Sequence, residues 1–258
     1  MLGMKKVMSK VISQVEIAEG VFDLWLETDM AQMAKAGQFI CVYTKDKSMI
    51  LPRPISICEV NADRTALRIV YRIAGAGTTE FSTYQAGEEV AILGTLGNGF
   101  PVEAGTGKVV VLMGGGIGIP PMLQTAKDLE AEVHSYIGYR DNQLFLADEF
   151  ANYSTVHIAT EDGSEGTKGN VIDALKESGV KPDVIMACGP MPMLRAIKQY
   201  AETEGIVAYI SLEEHMACGV GACLGCVCKT KEIDHHSHVH NARICTDGPV
   251  FLASDVLI

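Results

Sequence analysis

Near residue 108 the hydrophobic pattern of this chain changes, and one kind of sheet cannot accommodate both sides of the change. Up to about residue 102, short apolar stretches (Val21–Leu26, Phe39–Tyr43, Ile55–Val60, Ala66–Ile73, Glu89–Leu93) are separated by Ala36-Gly37, Asn61-Ala62-Asp63 and Ala86-Gly87. Within Leu67–Ile73 apolar and polar residues alternate. Strands at that spacing, with few helical periods, predict an antiparallel β-barrel or sandwich. After the Gly-rich connection Leu96–Pro101 and Glu103–Gly107, the run Val109–Met113 is continuously apolar, as in a strand buried on both faces. A helix is predicted over Pro121–Glu132, with prolines where they fit best, and strands over Val133–Tyr139 and Thr155–Thr160. A helix capped by Asn170 and ended by Gly179 follows, then a strand Asp183–Ala187, a helix Met191–Thr203 and a strand Ile206–Leu212. Alternating strands and helices mean βαβ units and a central parallel sheet of nucleotide-binding type. The expected division is residues 1–102, 103–211 and 212–258.

Composition fits folded domains. Of 258 residues, 48% are hydrophobic and 21% charged, enough apolar material for two cores at roughly 150 residues per domain. The formal charge of −11 argues against a nucleic-acid or anionic-membrane partner held by charge. No apolar run approaches the ~20 residues of a membrane helix, and Met1–Lys6 is not followed by a signal-peptide core. The expectation is a soluble cytoplasmic protein.

Beyond Ser211 the apolar periodicity is too thin for a third independent core, but five cysteines (218, 223, 226, 228 and 245) fall within 28 residues. In a reducing compartment such a cluster reads as metal ligation or redox chemistry. Cys218-x4-Cys223-x2-Cys226, with Cys245 beyond, has the spacing of a plant-type [2Fe–2S] site. Two sulfide-bridged irons need four converging thiolates. Gly219, Gly221, Ala222 and Gly225 let the backbone come close enough for N–H groups to point at sulfur. A structural zinc using Cys223, Cys226 and histidines of the His235–His240 run is the competing reading, and Cys228 is a rival for the third ligand. Cys41 and Cys58, within apolar strands, read as small buried hydrophobes.

Two further motifs gain meaning together. Arg53-Pro54-Ile55-Ser56 opens a predicted strand, Val70-Tyr71-Arg72 closes another, and Gly77-Thr78 lies in the turn after it. An arginine near a glycine–threonine turn suits a phosphate, although a surface arginine and an ordinary turn would look the same. Gly114–Pro121 lies between the first parallel strand and its helix. It departs from G-x-G-x-x-G and instead has the Gly116-x-Gly118-x-x-Pro121 form of ferredoxin–NADP reductase-like proteins, whose second signature is matched by Cys188-Gly189-Pro190.

On these motifs, with Leu96–Phe100, Met216–Cys223 and Cys245–Phe251, the chain resembles over its whole length the electron-transfer subunits of bacterial NAD-dependent two-subunit dihydroorotate dehydrogenases. One departure is the Cys226–Cys245 interval, longer here than is usual. The resemblance implies FAD along Arg53–Ser56, with Val70, Tyr71 and Arg72 at the ring and ribityl or phosphate, and Gly77 and Thr78 at the pyrophosphate. It implies NAD framed by Gly115, Gly116, Gly118, Cys188, Gly189 and Pro190, with Thr160–Ser164 a further candidate for ribose or nicotinamide. It also implies a [2Fe–2S] cluster on Cys218, Cys223, Cys226 and Cys245. The partner it implies is an FMN-containing catalytic subunit, two of each chain, in pyrimidine biosynthesis. Electrons would pass from the partner's FMN through the cluster to FAD and leave as hydride to NAD+, with no catalytic acid, base or nucleophile in this chain. The same scaffold would serve as a reductase subunit of a bifurcating ferredoxin–NADP oxidoreductase, a hydrogenase or a glutamate synthase. A non-catalytic binding module with a structural zinc is the reading from another class.

Overall fold

The computed structural model describes residues 5–233 and 238–258. The first six strands are β1 (Lys5–Ala18), β2 (Val21–Glu27), β3 (Phe39–Val42), β4 (Arg53–Val60), β5 (Ala66–Arg72) and β6 (Glu89–Leu96), with the short helix α1 (Ala76–Phe81) before β6. They close into an antiparallel barrel in the order β1-β2-β5-β4-β3-β6, which leaves no free sheet edge. Leu24, Leu26, Ile40, Ile57, Leu67, Ile69 and Ile92 fill the interior and are fully buried. β1 is absent from the predicted strands. Register shifts between Val11 and Ser13, and again between Glu16 and Ala18, break its alternation, and Met8, Ile12 and Val15 face outward. Bulges of this kind hide a strand from any period-two reading.

The second sheet is built from β7 (Val109–Gly115), β8 (Glu132–Tyr139), β9 (Thr155–Thr160), β10 (Thr167–Lys168), β11 (Val184–Cys188) and β12 (Val207–Ser211). These run parallel in the order β10-β9-β8-β7-β11-β12. The helices are α2 (Pro120–Asp128), α3 (Ala147–Phe150), α4 (Val171–Ser178) and α5 (Met191–Glu204). Asn170 caps α4 as expected: its side chain accepts from the N–H groups of Ile172 and Asp173, and Gly179 closes the helix at φ +71°. α2 stops at Asp128, four residues before the predicted end, because Leu129 turns extended and Glu132 is drawn into register with Val109. The strand order reverses between β7 and β11, and ligands bind at such a switch point in open α/β sheets.

The C-terminal segment is tied into both neighbours. β13 (Val227–Lys229) and β14 (Asn241–Arg243) form a hairpin, and β15 (Val250–Leu252) joins the parallel sheet antiparallel to β12. Asn98 fastens the segment to the barrel. Its amide donates to the carbonyls of Asp247 (3.0 Å) and Val250 (2.9 Å), and its side-chain oxygen accepts from Val250 N–H (3.0 Å). Gly97, at φ +71°, lies so close to Pro249 that any Cβ would come within 2.5 Å of it. Asn98→Ala removes three hydrogen bonds and leaves partly buried peptide groups unpaired, at about 1 kcal/mol or more each. The expected result is faster proteolytic cleavage within residues 212–258 with the barrel left intact, followed by mass spectrometry. Equal rates in variant and wild type would refute this fastening role. Among the described residues no helix is long and apolar enough to cross a membrane.

Candidate functional site

The four cysteines picked out by spacing come together in space. Cys218, Cys223 and Cys226 lie on the loop between β12 and β13, and Cys245 follows β14. Cys218 neighbours Cys223, and Cys245 neighbours Cys226, closely enough for each pair to influence one another's thiols. Backbone N–H groups address the sulfurs: Val220 to Cys218 at 3.4 Å, Gly221 to Cys245 at 3.2 Å, and Gly225 to Cys223 at 3.4 Å. Gly219 and Gly221 take φ +68° and +76°, the left-handed turns that bend the loop around the thiols. Burial pushes the Cys218 thiol up, but N–H groups of Val220, Cys223 and Ala222 outweigh it and bring it down to about 7. Burial, and then Cys226, push Cys245 up to about 12. Metal binding deprotonates such a set.

These thiols fit a two-iron cluster: soft sulfur donors in two pairs, with peptide donors that offset the charge of four thiolates. Cys223 is exposed, whereas Cys226 and Cys245 are buried, so one pair faces outward and the other faces the protein interior. Among the described residues no three His, Cys, Asp or Glu side chains close on a single ion. Cys228 sits in the hairpin opposite Ala242, its thiol raised to about 11 by burial. His235 and His236, part of the zinc alternative, lie outside the described residues.

The two glycine signatures also meet. Cys188 is in register with Gly114 across β11 and β7. A Cβ on Gly118 would stand 2.4 Å from the Cys188 carbonyl oxygen, and one on Gly189 would lie 3.3 Å from Gly115 N. Gly115–Gly118 and Cys188–Pro190 therefore form one surface at the switch point, with the N-termini of α2 and α5 beside it. Burial pushes the Cys188 thiol up to about 12, so it is neutral at physiological pH. Thr160 is buried and engages Glu165, and Asp162 accepts from Ser164, so the Thr160–Ser164 loop largely satisfies itself.

On the barrel, the Arg53 guanidinium lies directly over Gly77, where a Cβ would come within 2.1 Å of Nε. It is steadied by the Leu51 carbonyl and by Met49 Sδ. Ser56 pairs with Phe39 across β4 and β3. The Thr78 hydroxyl is used locally: it accepts from Ala74 N–H (2.8 Å) and Gly75 N–H (3.2 Å). Tyr71 points into the barrel core, stacked on Phe22 and donating to Gln14 Oε1 at 2.8 Å. Val70 is buried against the second core. Tyr71 and Val70 are thus buried as whole residues, whereas Arg72 is exposed.

Sequence reasoning passed over Cys41. Read as an ordinary core cysteine, it is fully buried, but its Sγ would stand 3.0 Å from a Cβ on Gly219, inside the cysteine loop. Only three-dimensional packing reveals that neighbour.

The iron-sulfur cluster binding domain of dihydroorotate dehydrogenase B, as a family, matches residues 213–257. Over 99% of its length the chain is 39% identical to the whole of a dihydroorotate dehydrogenase B (NAD(+)), electron transfer subunit, from Geobacillus sp. (strain WCH70). The subunit of the same name from Bacillus cereus (strain AH187) is 40% identical, again over 99% of this chain and 100% of its own. Among solved structures, the NADH-dependent reduced ferredoxin-NADP oxidoreductase superposes with a TM-score of 0.85 at 26% identity, covering 100% of this chain and 91% of that one. A ferredoxin NADP+ reductase from Neisseria gonorrhoeae shares the fold, with a TM-score of 0.66 at 17% identity over 83% of this chain and 95% of that one. Fold and site thus define an oxidoreductase of ferredoxin reductase type that carries an iron–sulfur domain. The chain belongs to the family of electron transfer subunits of dihydroorotate dehydrogenase B (NAD(+)). An electron transfer subunit implies a catalytic partner subunit.

Proposed function

We propose that this chain links dihydroorotate oxidation on an FMN-containing catalytic subunit, two of each chain in the cytoplasm, to reduction of NAD+ in pyrimidine biosynthesis. Its cofactors are FAD and a [2Fe–2S] cluster, and NAD is its substrate. The reading divides the chain into an FAD-binding barrel (1–102), an NAD-binding unit (103–211) and a cluster-binding segment (212–258). Flavin exchanges electrons singly or in pairs, which a one-electron cluster and a hydride carrier together require. The observation that carries the reading is the convergence of Cys218 with Cys223, and of Cys226 with Cys245, beneath N–H groups of their own loop.

The chain's own residues bind and orient. Arg53, held over Gly77, offers a guanidinium fork to a pyrophosphate, and Thr78 fixes the turn by capping it. Gly115, Gly116 and Gly118 keep Cβ atoms out of the dinucleotide groove, and Cys188-Gly189-Pro190 form its other wall. The neutral Cys188 thiol places no charge there. Cys218 and Cys223 would hold one iron and Cys226 and Cys245 the other. No side chain has to move a proton. Identity near 40% to the electron transfer subunits, against 26% to the NADH-dependent reduced ferredoxin-NADP oxidoreductase chain, favours this reading over the other reductase complexes.

Anaerobic purification with the co-expressed catalytic subunit tests it. About two irons, two acid-labile sulfides and one FAD per chain are expected. Zinc without iron or labile sulfide would end the redox reading. Arg53→Ala is expected to lower FAD affinity at least ~10-fold, since charge-assisted hydrogen bonds contribute about 1.5–3 kcal/mol. Flavin release on dilution, followed by fluorescence, checks this; unchanged retention would remove Arg53 from the flavin site.

A further inference from the structure

We propose that Cys41 is a positioning residue that sets the reduction potential of the iron–sulfur centre from the flavin-side strand pair. The proposal rests on the reading that Cys218, Cys223, Cys226 and Cys245 hold the cluster. Cys41 sits in β3, in register with Pro54 of the Arg53–Ser56 strand on one side and with Leu93 of β6 on the other. It has no solvent exposure and belongs to the same packed core as Cys226 and Cys245. Gly219 approaches it so closely that a Cβ there would stand 3.0 Å from Cys41 Sγ and 3.2 Å from Leu96 Cδ1. The ligands Cys226 and Cys245 lie in that same core, and Gly219 directly follows the ligand Cys218. One side chain therefore touches the cluster loop while its own backbone pairs with the flavin motif.

Cluster potentials respond to hydrogen bonds at sulfur, to burial and to nearby dipoles. On the loop side the donors are backbone N–H groups, fixed by the fold. On the barrel side the wall is Cys41 with Leu93 and Leu96, all apolar apart from one weak S–H donor. Cys41 is thus the point on that wall where polarity can be changed without altering a ligand. A hydroxyl there is a stronger donor and favours the reduced, more negative cluster. A methyl group removes the donor altogether, and a small apolar void stays dry.

The test compares Cys41→Ser and Cys41→Ala in the complete complex, by redox titration of the cluster followed by electron paramagnetic resonance. Cys41→Ser is expected to raise the ratio of reduced to oxidised cluster about tenfold at the wild-type midpoint, a shift of about 59 mV for one electron. Cys41→Ala should move the midpoint the opposite way, and the FAD midpoint should stay put in both. Unchanged midpoints and spectra, or shifts of the same sign, would overturn the proposal. So would loss of the cluster from both variants with FAD retained, which would make Cys41 only a structural support of the loop. A wild-type complex without an iron–sulfur signal would instead defeat the ligand assignment itself.

Discussion

Cys223→Ala is expected to lower NAD+-linked orotate formation by the complete complex at least ~100-fold, with FAD fully retained. Loss of a supporting partner of a metal site already costs about 10–100-fold, and this change removes a ligand. Cys223 is the exposed member of the outward-facing pair, so its side chain supports no core. Its Sγ accepts from the Gly225 N–H at 3.4 Å. On the proposed reading, removing it would leave the cluster one thiolate short, while the Arg53–Gly77 and Gly115–Gly118 surfaces stay untouched. Oxidation of NADH by an artificial dye that accepts electrons from the flavin should therefore continue within about twofold of wild type, since that reaction does not need the cysteine loop. Orotate absorbance with NAD+ reads the complete path, and dye reduction reads the flavin end alone. A variant that makes orotate at the wild-type NAD+ rate would show that electrons bypass the four cysteines. Parallel loss of both activities, with FAD gone, would mean that the loop supports the barrel rather than carrying electrons past it.

What the sequence disclosed and what it hid have separate physical origins. The pattern change near residue 108 was legible because burial on one face and burial on two faces leave different periodicities, and the barrel and parallel sheet follow that division. The cysteine spacing was legible because one loop supplies three of the four thiols. The meeting of Gly118 with Cys188 could be anticipated as motif order but not as contact, since it depends on β11 lying beside β7. β1 escaped notice because its bulges shift the alternation twice. β15 escaped because three residues, Val250–Leu252, carry no period, and their place is set by β12 and Asn98. Tyr71 shows the limit at residue level: its place beside Arg72 was legible, but not that its ring fills the barrel. Cys41 shows the reverse, a residue with no motif whose meaning comes entirely from what packs on it.

The same dependence on long-range packing governs how the two large units are held together, and Arg68→Ala should expose it. Arg68, in β5, binds Asp23 at 2.7 Å and Glu59 at 2.9 Å within the barrel, and reaches Glu149 of α3 at 2.6 Å. Lys127 of α2 binds Glu59 at 2.6 Å, and Gln124 accepts from Val60 N–H at 2.8 Å. The guanidinium side chain is only 8% exposed, with Asp23 at 13% and Glu59 at 17%. Without Arg68, three carboxylates face one lysine in a poorly hydrated seam. Breaking a buried pair costs about 3–5 kcal/mol, and the 43% exposure of Glu149 argues for the lower end. A loss near 3 kcal/mol corresponds to a Tm about 10 °C lower in a chain of this size. Because Glu149 is, among the described residues, the arginine's only ion-pair partner on the parallel-sheet side, Glu149→Ala should lower Tm much less while loosening the same seam. Both variants should slow NADH-to-flavin hydride transfer, measured by stopped flow at saturating NADH, since misplacement of about 1 Å costs ~100-fold. Wild-type Tm and wild-type hydride transfer in Arg68→Ala would show that Gln124, Lys127 and apolar packing align the two units without the arginine.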